Sequence, residues 1–269
     1  MKGVNVQHKA LKWINQPHYF CVILRPAYLY AMSALPIFYQ ESLFTAGAML
    51  ALDEDTARHV VQVLRMGEGE RLELANGKGV SAHCVIMETG KKRCTVRIEQ
   101  LKEIAPSAPV MHLAIAFTKN TSRNEWLLEK ATELGVQRIT PVIATRTERE
   151  RFRYDRLKGI LVSAMMQSQQ YWLPQLDEPM PLHAVLDEQN DAQIAIAHCM
   201  DELPRKSFSE VLEQGRNVLL FIGPEGDFTE EEVNLANAQG AVGVTLGNTR
   251  LRTETAAMAA CALFHLVNS

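Results

Sequence analysis

Two glycine-bearing loops near the C-terminal end, FIGPEGDFTEEE at residues 221–232 and LGNTRLRTETAA at residues 246–257, restrict the architecture of this chain more than any other feature. Each follows an unbroken apolar run, VLLFI or VGVTL, that reads as a strand buried on both faces. Each then leads directly into a helical pattern. Two strand–loop–helix units this close together place both loops at the carboxyl edge of a parallel sheet, where open α/β folds hold their ligands. The second unit continues into TETAAMAACALFHLV, apolar on almost every side, which a fully solvated helix does not tolerate.

The first loop can be read residue by residue. Gly223 and Gly226 permit positive φ and let a ligand approach the backbone without a Cβ in the way. Pro224 stiffens the turn and removes a donor. Thr229, with Glu232 three residues on, forms a capping box that starts the next helix. Glu225 lies between the glycines, with its carboxylate presented to whatever binds. The chain has no GxGxxG and no Walker lysine, which excludes the usual dinucleotide and nucleoside-triphosphate cradles. A single GxxG would read as an ordinary βα turn; the pair of loops is what carries specificity.

Composition narrows the class. A chain of 269 residues has room for two domains with substantial cores. Its apolar and charged fractions, 47% and 22%, are ordinary for a globular protein, and no stretch reaches the length of a membrane span. The five cysteines and eight histidines are dispersed without metal-ligand spacing, so free thiols, a reducing cytoplasmic setting and no metal are expected. A net charge of −3 argues against indiscriminate nucleic-acid binding, so any RNA contact requires local concentration of cations. TRTERERFRYDRLK at residues 145–158 offers Arg146, Arg149, Arg151, Arg153, Arg156 and Lys158. Its interleaved acids suit a solvated loop and helix start equally well. Before Glu41 there is no acid, only Lys2, Lys9, Lys12 and Arg25 as charges. YFCVIL is too short for a secretory segment and Arg25-Pro26 interrupts it. Residues 1–33 are expected to be an extension: a non-native or mis-assigned start, or a disordered arm, with a basic RNA-gripping arm as the alternative.

Residues 34–104 are β-rich. DEDTARHVVQVLRM reads as one short helix capped by Asp53, and ERLELAN, GVSAHCVIME and CTVRIEQL as strands, the first two joined by a turn at residues 76–79. A small closed barrel is the economical arrangement for so few strands. EIAPSAP is the linker. Residues 105–269 then alternate strand and helix. SRNEWLLEKATEL is a helix with Ser122 as cap and Glu125 in capping-box spacing; Leu127, Ala131 and Leu134 repeat at helical period and Gly135 ends it. VMHLAIA, VQRITPVI, QIAIAH, NVLLFI and VGVTL make a parallel sheet. Pattern alone describes an ordinary doubly wound α/β domain.

GPEGDF, followed after one helix and one strand by LGNTRLRTETAA, resembles the SPOUT (trefoil-knot) RNA methyltransferases. Within them it is similar to ribosomal RNA small subunit methyltransferase E, the family that methylates N3 of a uridine in 16S ribosomal RNA. NEWLLEKATELGVQRITPVI, MMQSQQYWLP and HVVQVLRMGEGE extend the likeness from about Leu35 onward. The resemblance implies a SPOUT trefoil-knot parallel-sheet domain preceded by a small PUA-like RNA-binding β-barrel. It also implies S-adenosylmethionine as cofactor and the small ribosomal subunit as substrate. With the apolar last helix, it implies a homodimer whose partner completes each site. Three departures stand out. Asp227 replaces the last glycine of GPEGG, Thr249 and Arg250 stand where Arg and Ile are usual, and no Arg-rich start is evident near Leu35.

The implied chemistry assigns roles. Arg252 and Arg123 are the candidates for stabilising charge on the uracil oxygens, and Glu225 or Glu254 for accepting the N3 proton or orienting such an arginine. A helix-start salt bridge for Glu254 with Arg252, and a solvated charge for Arg123, are the bland alternatives. Cofactor contacts are expected from Ile222, Gly223, Pro224 and Gly226 on one loop and Leu246, Gly247, Leu251 and Thr255 on the other. Ala197 and His198 would close the adenosine side. RNA contacts are expected at His59 and Arg65, at Arg149, and at Gln167 and Gln170, the last two reading equally as helix-surface amides. A SPOUT enzyme acting on ribose or another base would share the cofactor loops but lack the LLEKATELGV stretch. A non-catalytic RNA-binding module and a small-molecule α/β enzyme are rivals of other classes, told apart by cofactor binding and by salt-dependent RNA affinity.

Overall fold

The computed structural model describes residues 35–42, 44–148, 151–188 and 191–269. The expectations for residues 1–33 and for Arg149 lie outside them. The first part of the described chain runs β1 (Ile37–Tyr39), β2 (Met49–Ala51), α1 (Glu54–Arg58), a π-helical turn (His59–Val63), β3 (Arg71–Ala75), β4 (Val80–Gly90) and β5 (Arg93–Glu103). Asp53 caps α1 as expected, its side chain accepting from the Thr56 N–H. The single helix read from the sequence is instead an α turn that widens into a π turn at His59. The sheet order is β1-β3-β4-β5-β2, with β1 parallel to β3 and the other ladders antiparallel. No ladder joins β1 to β2 among the described residues; α1 and the π turn pack there, Ala57 and Val60 fully buried beside Phe38, Leu72 and Leu74.

The second part runs β6 (Met111–Ile115), α2 (Thr121–Glu133), β7 (Arg138–Ile143), α3 (Tyr154–Gln167), β8 (Gln175–Leu176), β9 (Met180–Pro181), α4 (Leu182–Leu186), β10 (Gln193–Ala197), β11 (Lys206–Ser207), α5 (Phe208–Val211), β12 (Val218–Ile222), α6 (Glu230–Ala238), β13 (Val242–Thr245) and α7 (Thr253–Val267). Its sheet, ordered β11-β13-β10-β12-β6-β7-β8 with β9 also on β7, is parallel throughout. All five residues of β6 and of β12 are buried, which explains runs such as VLLFI that are apolar without alternation. One core lies between the sheet and α2, α3 and α7; the other lies on the opposite face under α4 and α6.

Local chemistry sets the helix ends. Thr229 and Glu232 form the expected capping box at α6. At α2 the cap is Asn120, accepting from the Arg123 N–H, and Ser122 lies inside the first turn. Asn120 is the last extended residue, at φ −89° and ψ 102°, and the helix begins at Thr121, which leaves Ser122 inside the first turn. Gly135 ends α2 with φ +78°, and the Val136 N–H reaches back to the Ala131 carbonyl.

The turn at residues 76–79 does more than connect β3 to β4. The Gly79 N–H donates to the Tyr171 carbonyl at 3.0 Å and the Leu173 N–H to the Gly77 carbonyl at 2.9 Å. Trp172 Nε1 donates to the Ile104 carbonyl at 2.9 Å. A Cβ on Gly79 would fall 2.4 Å from the Trp172 ring, in addition to the strain of φ +81°, so only glycine fits. This bracket joins the two sheets.

Candidate functional site

The carboxyl ends of β10, β12 and β13 converge, as the tandem strand–loop–helix pattern requires. The two loops and the end of β10 enclose a cavity of about 360 Å³. Ten of the expected residues line it: Ala197, His198, Ile222, Gly223, Pro224, Glu225, Leu246, Gly247, Leu251 and Arg252. Asp227, Thr249 and Arg250, the three departures from the family pattern, line it too, as do Cys199, Val244, Thr245, Thr253 and Ala256, which were not singled out from the sequence. Thr253 is the residue with the clearest signal in hindsight. It occupies the first position of α7, is buried, and donates from Oγ1 to the Gly223 carbonyl at 3.1 Å, tying one loop to the other.

The glycines act by proximity rather than by φ. Gly223 and Gly226 do not have positive φ. A Cβ on Gly223 would lie 3.1 Å from the buried Phe228 ring, and one on Gly226 would lie 3.3 Å from the Arg146 side chain. The left-handed residue of this loop is Asp227, at φ +63°. It stands where the family pattern has glycine, and its carboxylate accepts from the Cys199 N–H at 2.7 Å and the Phe228 N–H at 2.8 Å. Asp tolerates this conformation better than most residues. The bond from Cys199 also ties the loop to the end of β10. Arg146 donates to the Gly226 carbonyl at 2.7 Å and Glu232 accepts from the Thr145 N–H at 2.7 Å, so residues 145–146 brace the same loop from the other side.

The four expected catalytic residues do not behave alike. Arg123 spans two carboxylates, with Nη1 3.4 Å from Glu225 and Nε 3.5 Å from Glu254. Glu254 is buried in the first turn of α7, and its Oε2 is enclosed without a hydrogen-bond partner among the described residues. The Arg252 guanidinium, exposed at the cavity wall, has no side-chain partner among the described residues. The helix-start pairing of Glu254 with Arg252 is therefore not formed; the partner is Arg123. His198 is buried, both ring nitrogens lack partners among the described residues, and burial holds its imidazole below the ordinary pKa, with Arg205 adding to the shift and Asp227 opposing it. It enters the cavity neutral, able to donate from one nitrogen and accept at the other.

Other expected residues are placed elsewhere. Gly226 and Thr255 are exposed and do not line the cavity. Gln170 donates to the Thr132 carbonyl at 2.8 Å, closing the C-terminal turn of α2, while Gln167 is exposed on α3. His59 stands edge-on to Phe38 at the start of the π turn, and Arg65 follows it, exposed with φ +57°.

A cavity of this size, lined by aliphatic side chains and by convergent polar and charged ones, is a small-molecule site. Comparison with known proteins says of which kind. A model of the RNA methyltransferase domain matches residues 106–265, and one of the RNA methyltransferase PUA domain matches residues 52–99. The ribosomal RNA small subunit methyltransferase E of Mycobacterium bovis is 30% identical over 83% of this chain and 88% of its own. The chain belongs to this family. Among solved structures, one from Porphyromonas gingivalis is 34% identical with a TM-score of 0.81, covering 87% of this chain and 98% of that one. The ribosomal RNA small subunit methyltransferase E of Neisseria gonorrhoeae, solved with S-adenosylmethionine, is 27% identical with a TM-score of 0.78 over the same shares. The parallel-sheet domain is thus of the SPOUT trefoil-knot class, a crossing that strand and helix periodicity alone would never select. The small sheet before it is PUA-like.

Proposed function

We propose that this protein transfers the methyl group of S-adenosylmethionine to N3 of a uridine in 16S ribosomal RNA. The observation that carries the reading is the two-loop cavity beside an unpaired Arg252 and an Arg123-bridged pair of carboxylates. The cavity fits the cofactor on the chain's own terms. Ile222, Gly223, Leu246 and Leu251 border it, and His198 lines it beside Ala197 at the end of β10. When bound, S-adenosylmethionine supplies an electrophilic methyl on a cationic sulfur.

The protein's share is position and charge. Uracil N3 is a poor nucleophile while it keeps its proton, because its electrons are delocalised into the flanking carbonyls. A guanidinium at O2 or O4 stabilises the anion that forms as the proton leaves, and Arg252, free of side-chain partners, is the group available to do so. Glu225 is exposed on the cavity and can take the proton, while Arg123, held between it and the buried Glu254, keeps it in place. The new N3–carbon bond forms as the sulfur–carbon bond breaks, and water carries the proton away.

Residues 34–104, with His59 and Arg65, are read as the module that engages RNA and residues 105–269 as the catalytic domain. Free thiols at Cys84, Cys94, Cys199 and Cys261 support work in the reducing cytoplasm, and a homodimer is the working assembly. The test is transfer of labelled methyl from S-adenosylmethionine to small subunits and to naked 16S RNA, both from a strain lacking the protein. Labelled N3-methyluridine after nuclease digestion is the expected product; label in a ribose or another base would assign the enzyme to a different SPOUT specificity.

A further inference from the structure

A second cavity, of about 630 Å³, opens at the carboxyl ends of β6 and β7, beside the N-terminus of α2. Its floor is apolar, from Pro141, Val142, Leu157 and Pro179. Its wall is aromatic: Phe117 and Phe152 lie 6.4 Å apart between ring centroids, and Phe152 continues to the exposed Tyr154 at 6.3 Å. Phe117 and Phe152 are only half-buried, so part of each ring faces open space. Arg151 and Arg153 stand at the rim, exposed, and their guanidiniums have no partner among the described residues. By contrast Arg156, on the same wall, is bound to Glu125 at 2.5 Å.

We propose that this cavity holds one unstacked nucleotide of the RNA substrate, other than the one methylated, with its base on the Phe117–Phe152 wall and its phosphate on Arg151 and Arg153. The inference rests on the RNA methyltransferase reading above and extends it. Aromatic faces backed by free cations are the combination that binds single-stranded nucleic acid, the rings taking bases and the cations the backbone. On a chain with a net charge of −3, two arginines without partners among the described residues, beside half-buried rings, mark where an anion is wanted. The reacting uracil must lie at the two-loop cavity, so a cavity with none of the same lining residues serves a different nucleotide. The two are mechanically linked. Residues 145–146, which brace the cofactor loop, run directly into Thr147 and Glu148 on the wall of the second cavity, and Arg123 is flanked in α2 by Thr121 and Asn124. Filling the second cavity therefore bears on the segment that shapes the first.

Full-length protein carrying Phe152→Leu, and separately Arg151→Gln with Arg153→Gln, is assayed on small subunits from a strain lacking the protein. In each variant KM for the subunit should rise about ten-fold, while kcat and calorimetric S-adenosylmethionine affinity stay within about two-fold of wild type. The slope of log affinity for oligouridine against log salt should fall by about 1.4 in the arginine variant, one phosphate for each cation removed. Unchanged KM and slope in variants that bind cofactor and transfer methyl would overturn the proposal and leave the functional reading standing. Wild-type protein that transfers nothing would overturn that reading itself. A lower oligomeric mass in the arginine variant would make the cavity an interface between copies, also against the proposal. If Phe152→Leu fails to fold, the two exposed arginines carry the test.

Discussion

At the scale of single residues, what separates Arg252 from Arg123 is occupancy. Both are arginines near the same carboxylates, yet Arg123 is engaged by Glu225 and Glu254 while Arg252 has no side-chain partner among the described residues. Removing Arg252 should therefore cost transition-state stabilisation: Arg252→Ala is expected to lower kcat by about 10²–10³ with cofactor affinity unchanged. Full activity in that variant, with folding intact by circular dichroism, would transfer the role elsewhere. The departures from the family pattern also become physical at this scale. Asp227 replaces a glycine by satisfying two main-chain N–H groups with its carboxylate, and Arg250 keeps a cation on the cavity wall one position from Thr249. Sequence reading found most of the cavity residues because glycine loops after buried strands have one place to go. It missed Thr253 and the bracing role of Arg146, whose partners are 30 and 80 residues away along the chain and leave no local trace.

At the scale of elements, periodicity located the five longer strands of the parallel sheet, each a buried apolar run, and not the two-residue strands β8, β9 and β11, which are too short to carry a repeat. The misplacements are at ends and irregularities. Asn120 rather than Ser122 caps α2, and the helix after Asp53 widens into a π turn. Both are settled by tertiary packing. Long-range polar pairing was equally hidden. On β6 and β7, His112 Nε2 lies 2.7 Å from Thr140 Oγ1; Thr140 in turn bonds Asp177, which Arg138 also holds at 2.7 Å while gripping Glu188 with its other nitrogens. With its hydroxyl hydrogen donated to Asp177, Thr140 accepts from the imidazole, which fixes His112 as the Nε2–H tautomer. Burial, reinforced by the Arg138 charge and opposed by Asp177 and Glu188, lowers the His112 pKa to about 4. Its unfolded pKa is about 6.5, so the unfolded chain binds more protons between these values and the folded state loses stability as pH falls through that window. The loss should reach roughly 3 kcal/mol near pH 4, and His112→Gln should flatten the dependence. Urea denaturation at about pH 7 and about pH 4 is the check; parallel losses in wild type and variant would show that other groups set the acid response.

At the scale of the whole molecule, the sheets are joined by a bracket that sequence reading recognised only as a hairpin turn. Gly79 against Trp172 couples them, so the small sheet is held on the parallel-sheet domain by close packing. The end of the last helix also leaves apolar surface uncovered. Leu266 on α7 is 72% exposed and Trp126 on α2 is 44% exposed, on two helices that pack against each other. We propose that the second copy of the homodimer covers this apolar surface. Light scattering should give twice the 30.2 kDa chain mass; a monomer at working concentration would contradict it. The knot and the cofactor were legible only through motif resemblance, and the proposed uridine target rests on it too, since strand–helix alternation fits many α/β folds and the chemistry resides in a few loop residues.

The central claim is that the two-loop cavity serves N3 methylation of one 16S ribosomal RNA uridine. Mass-spectrometric mapping of 16S RNA from cells lacking the gene tests it most directly. N3-methyluridine should disappear from a single position, return with the wild-type gene and fail to return with Arg252→Ala. Retention of that nucleotide in the deletion strain would contradict the account.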